Sequence, residues 1–295
     1  MEKQFVFDVR EAVLLLPFLL EKYPGKGRNK VKSLLTRGQV MVGNRVVTRH
    51  DYPLSVGDKV TILQTGSIRQ REAMAGVKIV YEDESLLVID KPPGLLSMAT
   101  DEEKERTAYH ILMDYVQERN PKARIFIVHR LDKETSGLMM FAKTQEVKNY
   151  LQNHWKDVVL ERCYMALVEG AVKDKQGTIK TWLKESSTRT MYVSRPGEGD
   201  LAITHYQVLE STPEYSLLTV QLDTGRKNQI RVHMQSIGHS VVGDKRYGSR
   251  KNPIARLGLH AQILAFTHPV TGETLRFETK IPKQFQRVFR EKKNL

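Results

Sequence analysis

His129-Arg130-Leu131-Asp132-Lys133-Glu134-Thr135-Ser136-Gly137 lies between two short apolar runs, Ile125-Phe126-Ile127-Val128 and Leu138-Met139-Met140-Phe141. Apolar runs of this length, separated by a polar stretch that ends in glycine, predict strand, loop, strand. In the loop one carboxylate, Asp132, is flanked by two cations, Arg130 and Lys133. Thr135-Ser136-Gly137 then turns the chain into the second strand. An acid at the apex of such a unit suits a nucleophile held against a substrate. The same residues also describe an ion-paired loop, since structural ion pairs perturb carboxylates too. Spacing alone leaves both readings open.

Working outward, the chain has 47 Lys and Arg against 34 Asp and Glu, a formal net charge of +13. A protein this basic usually meets a polyanion, and nucleic acid is the first candidate. An anionic membrane surface is the competitor, but no basic amphipathic helix stands out to favour it. The single cysteine, Cys163, excludes an intrachain disulfide and a zinc site built on several thiolates. His233 and His239 lack a convincing set of metal-ligand partners, so no metal is expected. The apolar stretch Val13–Leu20 is too short to span a bilayer and runs into Glu21-Lys22-Tyr23 rather than a cleavage site. It predicts a buried helix with Pro17 near its first turn, and a cytoplasmic protein.

A length of 295 residues allows one large domain and a small one. Residues 1–66 form a basic unit. Pro24-Gly25-Lys26-Gly27 is a turn, and Arg28–Arg37 predicts a helix with Val31, Leu34 and Leu35 on one face. Gly38 suits its C-terminal end. A hairpin follows, Gln39–Val42 and Arg45–Val47 around Gly43-Asn44, then a strand at Lys59–Leu63. Residues 67–76 are polar, without a sustained period, and read as a linker. Residues 77–295 change texture to many short strand-like runs, Leu160–Val168 and Leu259–Phe266 among them, with helical patterns near Tyr109–Glu118 and Val147–Trp155 and a helix opening in Thr224–His233. The fold class expected is α+β: a small α/β unit, plus a larger domain with a mostly antiparallel mixed sheet flanked by helices and loops.

Three further strings accompany the central one. They are Tyr81–Glu84 with Val88–Gly94, then Glu161–Gly170, then Thr224–His233. Gly238–Asp244, Tyr247-Gly248 and Leu257–Ala261 complete the set. Together with His129–Gly137 this pattern resembles the RluA-type pseudouridine synthases, whose motif reads His-Arg-Leu-Asp, two variable residues, Thr-Ser-Gly. Every fixed position of that motif is matched. The chain departs from the family at Arg162, where Lys is typical, at Asn228, where His is common, and at Ser240, where Pro is frequent. Residues 1–66 resemble the small RNA-binding domain first known from the S-four ribosomal protein, although the hairpin reads Gly43-Asn44 where the family has Asn-Gly.

The resemblance implies a reaction in which the N-glycosidic bond of uridine breaks, the base turns, and the ring is rejoined through C5. No atom is gained and no electron is transferred, so no cofactor is expected. Asp132 would be the essential carboxylate, attacking covalently or acting as a base toward a glycal; both courses stay open. Arg231 would pair with it and favour its ionised form. Tyr164 would stack on the uracil and help with the C5 proton; on its own, a tyrosine in a strand is a packing residue. A paired uridine must be flipped out, and Arg130 would fill the vacated stack unless it pairs with Asp132 or the RNA backbone. His129, Arg226, Gln229 and Leu259 are further substrate-binding candidates. Arg28, Lys30, Lys32 and Arg37 are the RNA-binding candidates of the small unit. The expected partner is structured RNA, ribosomal first and transfer RNA second, with no membrane and no obligate protein partner. The rival from another class is a non-catalytic RNA-binding factor of ribosome assembly. A glycoside hydrolase would need a second carboxylate at a recognisable partner position.

Overall fold

The computed structural model describes residues 4–23, 27–36, 39–43, 45–63, 74, 76–101, 103 and 106–290. The chain divides into two compact units, Met1–Gly76 and Val77–Leu295.

In the first unit, β1 (Gln4–Asp8), β2 (Val13–Leu14), α1 (Leu15–Lys22), α2 (Arg28–Thr36), β3 (Val40–Val42), β4 (Arg45–Val46), β5 (Pro53–Leu54) and β6 (Lys59–Leu63) follow in order. A four-stranded sheet runs β1-β6-β3-β4, and β2 pairs with β5. Leu15, Leu16, Phe18 and Leu19 of α1 and Val31 and Leu35 of α2 pack on Val40, Val60 and Ile62. The spacing of three and four explains why these helices bury one face. Val13-Leu14, expected to be helical, is instead a strand paired with Pro53-Leu54. The helix starts only at Leu15, which puts Pro17 inside its first turn, where no intrahelical N–H is lost. Strand β1 escaped the sequence reading; Phe5, Val6 and Phe7 find their ladder in β6. Arg28 and Lys32 are exposed on α2. Arg37, the side chain of Lys30, Gly38, Asn44 and most of residues 67–76 lie outside the described residues.

The second unit contains β7 (Lys78–Glu82), β8 (Leu86–Lys91), α3 (Ala108–Arg119), β9 (Phe126–Ile127), β10 (Ser136–Ala142), α4 (Gln145–Asn153), α5 (Trp155–Val158) and β11 (Val159–Glu169). It continues with β12 (Gln176–Glu185), β13 (Met191–Ser194), β14 (Asp200–Ser211), β15 (Tyr215–Leu222), α6 (Gln229–Ser236), a 3-10 turn at Lys245–Tyr247, β16 (Leu259–Thr267), β17 (Thr274–Glu278) and α7 (Lys283–Arg290). Helices α3 and α4 begin at Thr107 and Thr144, whose hydroxyls accept from His110 N and Val147 N. Such caps contribute about 1 kcal/mol each.

The strands form one mixed sheet, β13-β12-β14-β15-β11-β16-β10-β8-β7, with β17 on β16 and β9 on β10. This is the α+β class expected. Among the described pairings of this sheet only β10 with β16 is parallel, at Ser136↔His260 and Gly137↔Ala261. Gly137 makes that contact possible. Its φ is +114°, and a Cβ there would collide with the Ala261 backbone. The end of the Asp132 loop is thereby fixed against the central strand. Strand β10 is buried along its whole length, as a strand covered on both faces must be. One core lies between β8, β10, β16 and α4, and another seats Phe285 and Phe289 of α7 on Met165, Leu167 and Val242. Strands β13 and β17 and helix α7 were not anticipated: the strands are only four and five residues long, and α7 only eight, although its Phe285 and Phe289 bury one face. Among the described residues no helix is long and apolar enough to cross a membrane.

Candidate active site

Asp132 sits on a loop held from both sides. Before it, Leu131 N donates to Ser97 Oγ at 3.1 Å, and Ser97 Oγ donates to Leu131 O at 2.6 Å. After it, Lys133 O accepts from Gly94 N at 2.9 Å and from Lys91 Nζ at 3.1 Å. Lys91 is fully buried and donates also to Pro92 O and Leu95 O. Loops that carry reacting groups need such fixing, because small displacements cost rate.

Arg231, in the first turn of α6, reaches Asp132. Its Nη1 donates to Asp132 Oδ2 at 3.2 Å and to Asn228 Oδ1 at 3.1 Å. Its other edge grips Asp244 in a fork, Nε to Oδ2 at 2.6 Å and Nη2 to Oδ1 at 2.9 Å. The guanidinium lies over the Tyr247 ring, 4.8 Å from its centroid. Burial works against this charge, but the hydrogen bonds and charge of Asp244, then those of Asp132, outweigh it and hold Arg231 above the ordinary arginine range. The Asp244 side chain is 1 % exposed and that of Asp132 27 %. Asp244 therefore anchors the cation, and Asp132 receives its free edge while facing outward. Among the described residues Asp132 Oδ1 accepts no hydrogen bond from the protein, which leaves that oxygen for a substrate.

A cavity of about 320 Å³ opens here, lined by Asp132, Arg231, Tyr164, Arg162, Asn228 and Leu259, with Arg130 and Arg226 also on its walls. A volume of this order accommodates one small ligand group. Tyr164 enters from β11 beside an irregularity in the β11/β16 register between Cys163 and Tyr164. Asn228 occupies the left-handed region at φ +53° as it opens α6. Its amide donates to Tyr247 Oη at 2.9 Å while its carbonyl oxygen accepts from Arg231. The departure from histidine at this position thus keeps one donor and one acceptor in use. Among the described residues no group of three or more His, Cys, Asp or Glu side chains is arranged to hold a metal ion.

The profile of the RNA pseudouridylate synthases matches residues 85–236, just over half of the chain and the part that holds Asp132, Tyr164 and Arg231. An uncharacterized RNA pseudouridine synthase of Bacillus subtilis is 35 % identical over 268 residues, covering 87 % of this chain and 86 % of its own. The chain belongs to the RNA pseudouridylate synthase family. It is thus an isomerase that acts on RNA. A ribosomal large subunit pseudouridine synthase D of Pseudomonas aeruginosa is 34 % identical, covering 89 % of this chain and 87 % of its own. The solved human RNA pseudouridylate synthase domain containing 4 has the same fold, with a TM-score of 0.61, 24 % identity, and coverage of 76 % of this chain and 95 % of that one.

The synthase does not use every expected residue in its cavity. His129 is turned away from it. The ring packs on Trp155 with centroids 5.0 Å apart, and Nε2 accepts from Met140 N at 3.1 Å. Burial, then the nearby charge of Arg162, pushes this imidazole down to about 3, so it is neutral. It braces the β9/β10 hairpin. Gln229 lines the cavity but its amide is spent inside the protein. Nε2 donates to Ile203 O and Thr204 Oγ1, and Oε1 accepts from Thr224 Oγ1 and Arg226 N. With all four positions filled it ties the Thr224–Gln229 turn to β14. Arg226 donates to Leu201 O and lies 3.6 Å from Asp200. Arg130 is exposed, and among the described residues it forms no hydrogen bond or ion pair; the pairing with Asp132 weighed for it is absent. Asp244 and Tyr247 belong to the sequence pattern, which shows no role for either. A lone carboxylate after Val241-Val242-Gly243 was the available signal, because a buried acid needs a cation.

Lys91 carries a pH prediction. Burial pushes its ammonium down to about 7, against the opposing charges of Glu134 and Asp132. Three carbonyl acceptors need all three of its hydrogens, so they favour the charged form at neutral pH. The folded value lies below the unfolded one, so the unfolded chain binds more protons between them. Stability from this group therefore rises with pH above about 7, by up to about 1.4 kcal/mol per unit. Urea unfolding at pH 7 and pH 9 should show wild type gaining on Lys91→Met by about 1–3 kcal/mol. A constant difference between the two proteins would show that Lys91 is not depressed.

Proposed function

We propose that this synthase converts uridines of structured ribosomal RNA to pseudouridine, with Asp132 as the reacting carboxylate. The observation that carries the assignment is the Asp244–Arg231–Asp132 chain opening into a cavity lined by Tyr164. Arg231, anchored on its inner edge by Asp244, donates a hydrogen bond to one oxygen of Asp132 and so orients the other toward the cavity. Tyr164 offers a face for the turned base. Arg130, on the cavity wall and without a partner among the described residues, is suited to take the place of a uridine that has left its stack. The net charge of +13 favours a polyanion of high phosphate density. The ribosomal choice rests on relatives named for the ribosomal large subunit, such as the Pseudomonas aeruginosa enzyme. Chemical mapping of pseudouridine in cells with and without the protein tests it. Loss of sites in ribosomal RNA is the expected result; losses confined to transfer RNA would contradict the substrate.

Residues 1–66 act in this reading as a separate RNA-binding domain, joined through 67–76 to the catalytic domain 77–295. Arg28 and Lys32 on α2, with Lys30 and Arg37 nearby in sequence, supply phosphate contacts. Each such contact contributes about 0.7–0.9 to the logarithmic salt slope of binding. Deleting residues 1–66 should weaken binding to long structured RNA and flatten its salt dependence. Single turnover on a saturating minimal substrate should be largely preserved, since Asp132, Tyr164 and Arg231 lie outside the deletion. An unchanged salt slope would show that this domain does not meet phosphates. A folded but inactive truncation would show that the active site needs both domains.

A further inference from the structure

Arg162 is a cation in the cavity that no carboxylate among the described residues neutralises. It lines the wall beside Tyr164, Asp132 and Gly225. Among the described residues it has no carboxylate partner, whereas Arg231 is shared by two and Arg226 lies near Asp200. It is nevertheless fixed. Its guanidinium carbon lies 5.4 Å from the centroid of the Trp155 ring, and Trp155 leans in turn on the neutral His129 ring. Its Nη2 donates a long bond to Tyr164 Oη at 3.4 Å. A Cβ on Gly225 would stand 3.0 Å from its Nη1, so the glycine leaves the guanidinium its room. A planar guanidinium stacks on an indole face and presents its donors in one plane, which an ammonium does not. That gives the arginine at this position a physical reason.

An unneutralised, pre-oriented cation in a half-buried site is suited to charge that appears during the reaction. We propose that Arg162 is a catalytic residue that stabilises the uracil anion after the glycosidic bond breaks; this rests on the reading of Asp132 and its cavity as the isomerisation site. Whichever course Asp132 takes, the C1′–N1 bond breaks with its electron pair left on the base. The negative charge spreads over N1, O2 and O4. A base stacked on the Tyr164 ring brings one exocyclic oxygen over the hydroxyl end of that ring, where the Arg162 donors lie. The hydrogen bond to that oxygen strengthens as the charge develops. The base then turns, C5 bonds to C1′, the C5 proton leaves to solvent, and N1 takes up a proton. Atoms and electrons balance without a co-reactant.

The test compares uridine with 5-fluorouridine at the target position. Fluorine lowers the energy of the departing anion, so the second substrate needs less help from the protein. Single-turnover loss of the intact nucleoside is measured for wild type, Arg162→Lys, Arg162→Met and Gly225→Ala, together with RNA affinity and its salt slope. Arg162→Met should slow the uridine substrate by about 10²–10³-fold, the range for losing one donor to a developing anion. The 5-fluorouridine substrate should be slowed at least about tenfold less, with affinity nearly unchanged. Arg162→Lys should recover part of the rate. Gly225→Ala keeps the cation but displaces it, and should show the same substrate signature in weaker form. Equal slowing on both substrates, with weaker and less salt-dependent binding, would overturn the proposal in favour of a phosphate contact. Near-wild-type rates for Arg162→Met would reduce Arg162 to a packing residue. An inactive wild type would instead sink the functional reading itself.

Discussion

Asp132→Asn is expected to abolish isomerisation, by at least about 10⁴-fold in single turnover, the scale seen when a reacting group is removed. The amide keeps the size of the carboxylate and an oxygen for Arg231 Nη1, now 3.2 Å away. It loses the charge, and with it both available routes, covalent attack at C1′ and abstraction of a ribose proton. Affinity for RNA should stay within about tenfold, because phosphate contacts elsewhere supply most of it. A filter-binding titration beside the kinetic measurement separates the two effects. Substantial turnover by a variant shown by mass spectrometry to be free of deamidation would remove Asp132 from the mechanism.

The second large effect belongs to Arg231. Arg231→Met should eliminate activity and also destabilise the fold by about 3–5 kcal/mol, since it strands the buried Asp244 carboxylate without its cation. Stability and chemistry can be separated with Arg231→Met/Asp244→Leu. Replacing a buried pair by apolar groups of similar size is often close to neutral, so the double variant should unfold in urea near the wild-type midpoint. Its activity should not return, because Asp132 has still lost the donor on Oδ2. Recovery of near-wild-type turnover would mean that Arg231 serves only to satisfy Asp244.

These two experiments probe parts of the site that were unequally visible in the chain. The Asp132 loop is one contiguous string, and its apolar flanks announced the strands that carry it. Leu259–Phe266 and Leu160–Val168 were equally plain as β-rich runs, and they became central strands β16 and β11. The partnership of Asp132 with Arg231 spans 99 residues and came from the resemblance rather than from any local pattern. Asp244 was overlooked because its partner lies 13 residues away across a turn, outside any helical or strand period. The supporting roles of His129 and Gln229 were hard to read for a related reason. A polar residue in a functional string points either into the cavity or into the scaffold beneath it, and periodicity does not tell which in a loop. His129 points at Met140 N and Gln229 at Ile203 O. Both support the site through the backbone they hold. Strand β1 and helix α7 were lost to the sequence because their burial depends on distant partners, β6 for one and the Met165–Leu167 surface for the other.

The central claim is that the Asp132 cavity breaks the glycosidic bond of a uridine and rejoins the same base through C5. Tritium placed at uracil C5 of a ribosomal RNA transcript reports this directly, because only bonding at C5 displaces the label. The purified protein should release tritium to water in a one-to-one ratio with pseudouridine recovered from the digested RNA, and Asp132→Asn should release none. Free uracil without tritium release, or binding of the transcript with neither product, would contradict the account.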